Sequence, residues 1–197
     1  TGGNIAVIPD GCFDLLFSCN PHDPFAVLAT SPEQRTSYQF QTNCTYFGVR
    51  LAPEQQKIKF QCSAKEILQY QQISLEQVAY ETEGLLDLMA NSSNFEERIK
   101  AFTSYLNKKK SLETDYNQNL IGYCLNKMYH SRGRLNIKDL SADTGYSERY
   151  IRKKFEEFIG FSPKKINQII RLQDYISNFV MEEEDFEPLF AEHGYYD

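Results

Sequence analysis

Tryptophan is absent, and glycine and proline occur only ten and seven times in 197 residues, so collagen-like and low-complexity chains are excluded. No run of eighteen apolar residues exists, and no membrane-spanning helix is expected. No charged segment leads into an apolar stretch near the start, so no export signal is expected. The chain opens on Thr1 rather than Met, which points to residues upstream of it. Cysteine is sparse: Cys12, Cys19, Cys44, Cys62 and Cys124 are odd in number and contain no Cys-x-x-Cys pair. Buried, reduced thiols of a cytoplasmic protein are therefore expected rather than a disulfide frame.

The common catalytic signatures are missing as well. There is no phosphate-binding glycine loop, no Gly-x-Ser-x-Gly elbow and no His-Glu-x-x-His helix. Cys12, Cys19 and His22 carry ligand-type atoms, but their spacing matches no common zinc site and no fourth ligand stands nearby. Asp10 and Asp14 flank Cys12, and no base beside them is implied; Asp10-Gly11 reads as a turn. His130 and His193 fall in helical segments and read as packing or capping residues. The expectation is a protein that is not an enzyme and holds no cofactor and no metal.

What is present is an ordinary globular composition, 41% hydrophobic and 24% charged, with thirteen tyrosines and fourteen phenylalanines. The net charge of -6 is unevenly spread. Residues 1–115 carry ten basic and fourteen acidic side chains, residues 116–180 eleven and six, and residues 181–197 none and seven. A basic island within an acidic chain is where a phosphate backbone is attracted, because neutralised phosphates release counterions.

The first fifty residues read as strands. Residues 5–8, 13–17, 25–28, 38–40 and 46–51 are rich in aromatic and β-branched types and are separated by turn formers such as Pro9-Asp10-Gly11 and Ser31-Pro32. Their spacing suggests an antiparallel meander or part of a barrel, and a β module so rich in aromatics can enclose an apolar or aromatic effector. After Leu51 the period becomes helical. Ser63 with Glu66 and Ser93 with Glu96 are capping-box patterns. Phe95, Ile99, Phe102 and Leu106 then form one stripe, which packs on its own domain or pairs with its copy in a homodimer. The run Lys108-Lys109-Lys110-Ser111 reads as a solvated linker and marks a boundary, giving domains 1–112 and 113–197.

Residues 118–180 read as helical throughout. Leu120, Ile121, Cys124, Leu125 and Met128 share one face. Asn136 caps a helix bearing Ile137, Leu140 and Ala142, which stops at Gly145, a left-handed C-cap. Ser147 caps the next, with Ile151, Phe155, Phe158 and Ile159 inward, Tyr150 at the edge and an end at Gly160. Ser162-Pro163 opens a long helix through Ile166, Ile169, Ile170, Leu172, Ile176 and Phe179.

Two helices joined by so tight a turn cross steeply, as in a helix-turn-helix. The second then has one side held down and one side that can enter a major groove. Arg149, Arg152 and Lys153 fall on the outer side, with Glu148 beside them. Arginine pairs bidentately with guanine O6 and N7, worth roughly 1–3 kcal/mol of discrimination. Backbone N–H groups at Ser147 suit a phosphate.

The stretch Leu135–Lys164 resembles the first helix-turn-helix of AraC/XylS-type transcription regulators. The shared features are the Gly145-Tyr146-Ser147 turn, the basic second helix, the Gly160-x-Ser162-Pro163 break and the Arg171-Leu172 start of a linker helix. The likeness covers residues 118–197. More loosely, Ile8–Phe17 and Phe47–Leu51 are similar to the N-terminal domain of one branch of that family, a β-rich module followed by a helical connector. The resemblance implies an α+β chain with a small β-rich N-terminal domain and helical connector, then an all-α DNA-binding domain. It implies a sequence-specific regulator that binds double-stranded DNA, with two helix-turn-helix units about 34 Å apart. Base reading falls on Arg149, Arg152 and Lys153. Ser147 and Glu148 fall where phosphate or flanking-base contacts are made. Glu148 has the wrong charge for a phosphate and can instead accept from a cytosine N4 or point to solvent. The N-terminal domain senses a small-molecule effector or dimerises.

Leu189–Asp197 looks like the start of the second unit, which then stops short, and Glu182–Asp185 read as the acidic loop between units. One unit supplies about half of the phosphate and base contacts, so weak binding by this chain is expected. The rival readings are an enzymatic or small-molecule-binding β-module with the helices as scaffold, and a protein-interaction surface on the helices.

Overall fold

A computed structural model describes residues 3–41, 44–53, 58, 60–80, 82, 84–108 and 116–182, with side chains as far as residue 179. The protein is mixed α+β and divides into two compact units, Thr1–Asp115 and Tyr116–Asp197.

In the first unit the strands are β1 (Gly3–Val7), β2 (Phe13–Ser18), β3 (Ala26–Thr30), β4 (Thr36–Phe40), β5 (Tyr46–Leu51) and β6 (Gln72–Ser74). They do not form a meander. β1 pairs antiparallel with β4 in a two-stranded sheet, and the other four form an antiparallel sheet in the order β5-β2-β3-β6. The turn between β1 and β2 accounts for the departure. Gly11 takes φ 74°, and Ser31 Oγ accepts from the backbone N–H groups of Asp10 and Gly11 at 3.0 and 2.9 Å. The chain is thereby sent into a second sheet instead of folding back on β1. The Tyr38 hydroxyl, donating to the Thr30 carbonyl, ties the two sheets together.

Alternation along β2 puts Phe13, Leu15 and Phe17 in the core. They are covered by the helices α1 (Ala64–Ile67), α2 (Leu75–Val78), α3 (Leu85–Asn91) and α4 (Phe95–Lys108), with Ile67, Leu75 and Met89 fully buried. Ser63 and Glu66 form the expected capping box on α1. At α4 the cap sits one residue later than the Ser93–Glu96 pattern: Asn94 Oδ1 accepts from Glu97 N, and Glu97 answers to Ser93 N. Only part of the α4 stripe is covered. Phe102 is buried and meets Phe17 edge-on at 5.9 Å, whereas Phe95 and Ile99 are exposed.

The second unit consists, among the described residues, of α5 (Tyr116–His130), α6 (Ile137–Thr144), α7 (Glu148–Phe158) and α8 (Pro163–Glu182). Leu120, Ile121, Cys124, Leu125 and Met128 of α5 are all buried, with Leu140, Ile151, Phe155, Ile166, Ile169 and Ile170 from the other three helices. Ala142, counted as apolar face, is exposed, and Phe158 is only half-buried. Arg171 and Leu172 lie in the middle of α8 rather than at the start of a separate helix. Glu182 still belongs to α8; Glu183–Asp185 and the expected second unit at Leu189–Asp197 lie outside the described residues. So do His193 and the linker residues Lys109–Ser111.

Candidate nucleic-acid interface

The interface is built from α6, the turn after it and α7. Asn136 starts α6: its Oδ1 accepts from Lys138 N and Asp139 N at 2.8 and 3.1 Å, and Asp139 accepts from Asn136 N in return. This reciprocal box satisfies N–H groups that have no partner within the helix. Gly145 ends α6 at φ 73° and donates to the Ser141 carbonyl at 3.0 Å. The turn is then fastened twice, by Ser141 Oγ donating to Tyr146 O at 2.7 Å and by Tyr146 N donating to Thr144 Oγ1 at 3.4 Å. Ser147 caps α7, its Oγ accepting from Tyr150 N at 3.3 Å.

The inner side of α7 is held by Ile151 and Phe155, both at 0% exposure. Ile159 N and Gly160 N both donate to the Phe155 carbonyl, and Gly160 takes φ 89°, which closes the helix. Tyr150 is half-buried at the edge: its hydroxyl donates to Asn117 Oδ1 of α5 at 3.0 Å, and its ring stacks on Tyr146 at 5.0 Å. Lys127 of α5 pairs with Asp143 of α6 at 3.0 Å. The Tyr150 contacts tie α7 to α5 and to the turn, and the Lys127–Asp143 pair ties α5 to α6.

On the outer side Arg149, Arg152 and Lys153 are all exposed. Neither Arg149 nor Lys153 has an ion-pair partner among the described residues. Arg152 differs, because its Nη2 donates to Glu148 Oε2 at 2.8 Å, one helical turn back. That answers the question of Glu148: it is half-buried and points at Arg152. The i,i+4 spacing could have revealed the pair in the sequence. An exposed pair of this kind is worth about 0.3–0.5 kcal/mol, against roughly 1–3 kcal/mol for arginine on guanine, so Arg152 is available for exchange. Lys154, the fourth cation of the run, turns away. It pairs with Glu157 at 2.9 Å and lies over the rings of Tyr150 and Phe158 at 5.8 and 5.5 Å.

In the first unit Arg50 makes a bidentate pair with Asp14, both bonds at 2.9 Å, and reaches Asp10 at 3.0 Å. The two carboxylates flanking Cys12 thus share one guanidinium across β2 and β5, a partner 36 residues away that local spacing did not reveal. The hydrogen bonds that Arg50 donates to the Asp14 carboxylate hold the guanidinium firmly protonated. Cys12 and Cys19 are half-buried and His22 is exposed, and among the described residues no group of three or more His, Cys, Asp or Glu side chains is arranged so that it could hold a metal ion. All five cysteines are free, but only Cys124 is buried; the other four are half-buried, since they lie near strand ends or loops. No helix among the described residues is long and apolar enough to cross a membrane.

These features define an α+β protein with a solvent-facing basic helix in its helical unit. Compared with known proteins, the chain matches no protein-family model, no curated protein and no solved structure.

Proposed function

We propose that the second unit binds double-stranded DNA as a transcription regulator of the AraC/XylS type, with α7 lying in the major groove. The observation that carries this reading is the division of α7: Ile151 and Phe155 fully buried, Arg149, Arg152 and Lys153 open to solvent. A helix so held by its back, on a turn fastened by Gly145, Ser141 and Thr144, presents a rigid cationic face. Eleven residues span about 16 Å, which fits within a groove crossing. The excess of eleven basic over six acidic residues in 116–180 supplies the attraction for phosphates. Arg149 and Lys153 reach the duplex directly, and Arg152 does so on exchanging Glu148 for a base. The first unit, on the same reading, senses a small-molecule effector or forms the contact of a homodimer.

The test is selection of bound duplexes from a random pool, then binding by single variants. Arg149→Ala is expected to lose about 1–3 kcal/mol at one base position and little at others. An equal loss on every sequence would assign Arg149 to phosphate, and unchanged binding would remove it from the interface.

A further inference from the structure

The helical unit contains a cleft of about 530 Å3 between the start of α6, the flank of α7 and the start of α8. Its size lies within the range of small-molecule sites, about 300–1,000 Å3. Leu135, Ile137, Leu140 and Pro163 line it, with Leu140 and Pro163 buried and the other two half-buried. Arg152, Lys164 and Arg171 stand around these apolar residues, and no carboxylate lines the cleft. Arg171 is committed, since its Nη1 donates to the Gly133 carbonyl at 2.8 Å. Lys164 is exposed and has no ion-pair partner among the described residues.

This lining is selective in two directions. A small hydrated anion such as phosphate leaves the four apolar side chains with nothing to bury. A neutral apolar compound leaves Lys164 without a countercharge and gives Arg152 nothing to exchange for Glu148. The geometry points to a ligand site for an amphipathic organic anion, a carboxylate or sulfonate head at Lys164 and Arg152 on an alkyl or aryl body against Leu135, Ile137, Leu140 and Pro163. Asn167 adds a polar feature to the same wall. Its Nδ2 donates to the Leu135 carbonyl at 2.5 Å, while its Oδ1 is covered and has no hydrogen-bond partner.

Arg152 belongs both to the cleft and to the outer face of α7. An anion that engages it withdraws it from a base, so ligand and DNA oppose one another, each lowering the other's affinity by the same factor. That consequence rests on the DNA-binding reading; the ligand site does not. The site also lies in the helical unit, whereas the sequence placed effector sensing in the β-rich one.

The probe is 8-anilinonaphthalene-1-sulfonate, which joins one sulfonate and one N–H to an apolar body, titrated into the 197-residue chain with fluorescence as readout. The expected result is a saturable rise, reversed by octanoate and not by inorganic phosphate at equal concentration. Lys164→Glu reverses the charge at the mouth and Ile137→Glu places a carboxylate in the cleft. Each is expected to weaken the probe at least tenfold while the circular dichroism spectrum stays unchanged. Wild-type affinity in both variants, displacement by phosphate alone, or no saturable binding would overturn the site. Duplex binding measured on the same samples separates the two claims. Probe binding without DNA binding keeps the cleft and removes the regulator reading, and DNA binding without probe binding does the reverse.

Discussion

Cys124 lies at 0% exposure against the α5 core, and burial pushes its thiol up to about 11 from an ordinary 9.0. Between those values the folded protein keeps a proton that the unfolded chain sheds. Stability from this source is therefore whole below pH 9 and is lost as pH rises towards 11, by at most about 3 kcal/mol. Urea midpoints of the wild type are expected to fall more steeply over that window than those of Cys124→Ala; parallel curves would contradict it. Glu66 titrates at the other end. Hydrogen bonds from Ser63 hold its carboxylate below the ordinary 4.5, so its contribution is present above that value and fades as pH falls beneath it. Glu66→Gln is expected to flatten that part of the acid limb, as read by circular dichroism. At this scale the sequence showed the caps at Ser63, Asn136 and Ser147, which act within three positions of themselves, but placed the α4 cap at Ser93 instead of Asn94. It did not show Arg50 joining Asp10 to Asp14, since that contact depends on the register of β2 against β5.

Two glycines separate backbone strain from crowding. Gly145 and Gly133 have nearly equal left-handed φ values of 73° and 71°. A Cβ at Gly145 meets nothing within 4 Å, whereas one at Gly133 falls 2.4 Å from the Asn167 carbonyl oxygen and 3.1 Å from Arg171 Cγ. Gly145→Ala is expected to cost about 1–2 kcal/mol, the ordinary penalty for that conformation, and Gly133→Ala distinctly more. Equal losses in chemical denaturation would refute the difference. Among elements, the helices of the second unit were legible because period, caps and left-handed glycines agree. β6 was not, for Gln72-Ile73-Ser74 offers one apolar residue and becomes a strand only by pairing with β3. The α4 stripe was legible as a face but not in its burial. The core under it reaches Phe102 and stops short of Phe95, which rests beside Phe47 and stays open.

At the scale of the molecule, an acidic first unit and a second unit whose basic excess is confined to residues 116–180 share one chain, and each has its own core. The basic face of α7 could be counted off the sequence, because the buried and open sides of one helix alternate locally. The cleft beside it could not, because Leu135, Leu140, Arg152, Lys164 and Asn167 come together only through tertiary packing of three helices. The sheet order escaped for the same reason, since a turn pinned by Ser31 decides which strands are neighbours.

The most direct measurement is the affinity of the 197-residue chain for selected duplexes as salt is raised, alongside an Arg149→Ala, Lys153→Ala double variant. With three to five phosphates neutralised, binding should fall about 40- to 500-fold between about 50 and 200 mM salt, and the double variant should bind far more weakly at every salt. Affinity indifferent to salt, or a double variant that binds as well as the parent, would contradict the assignment of α7 to the major groove.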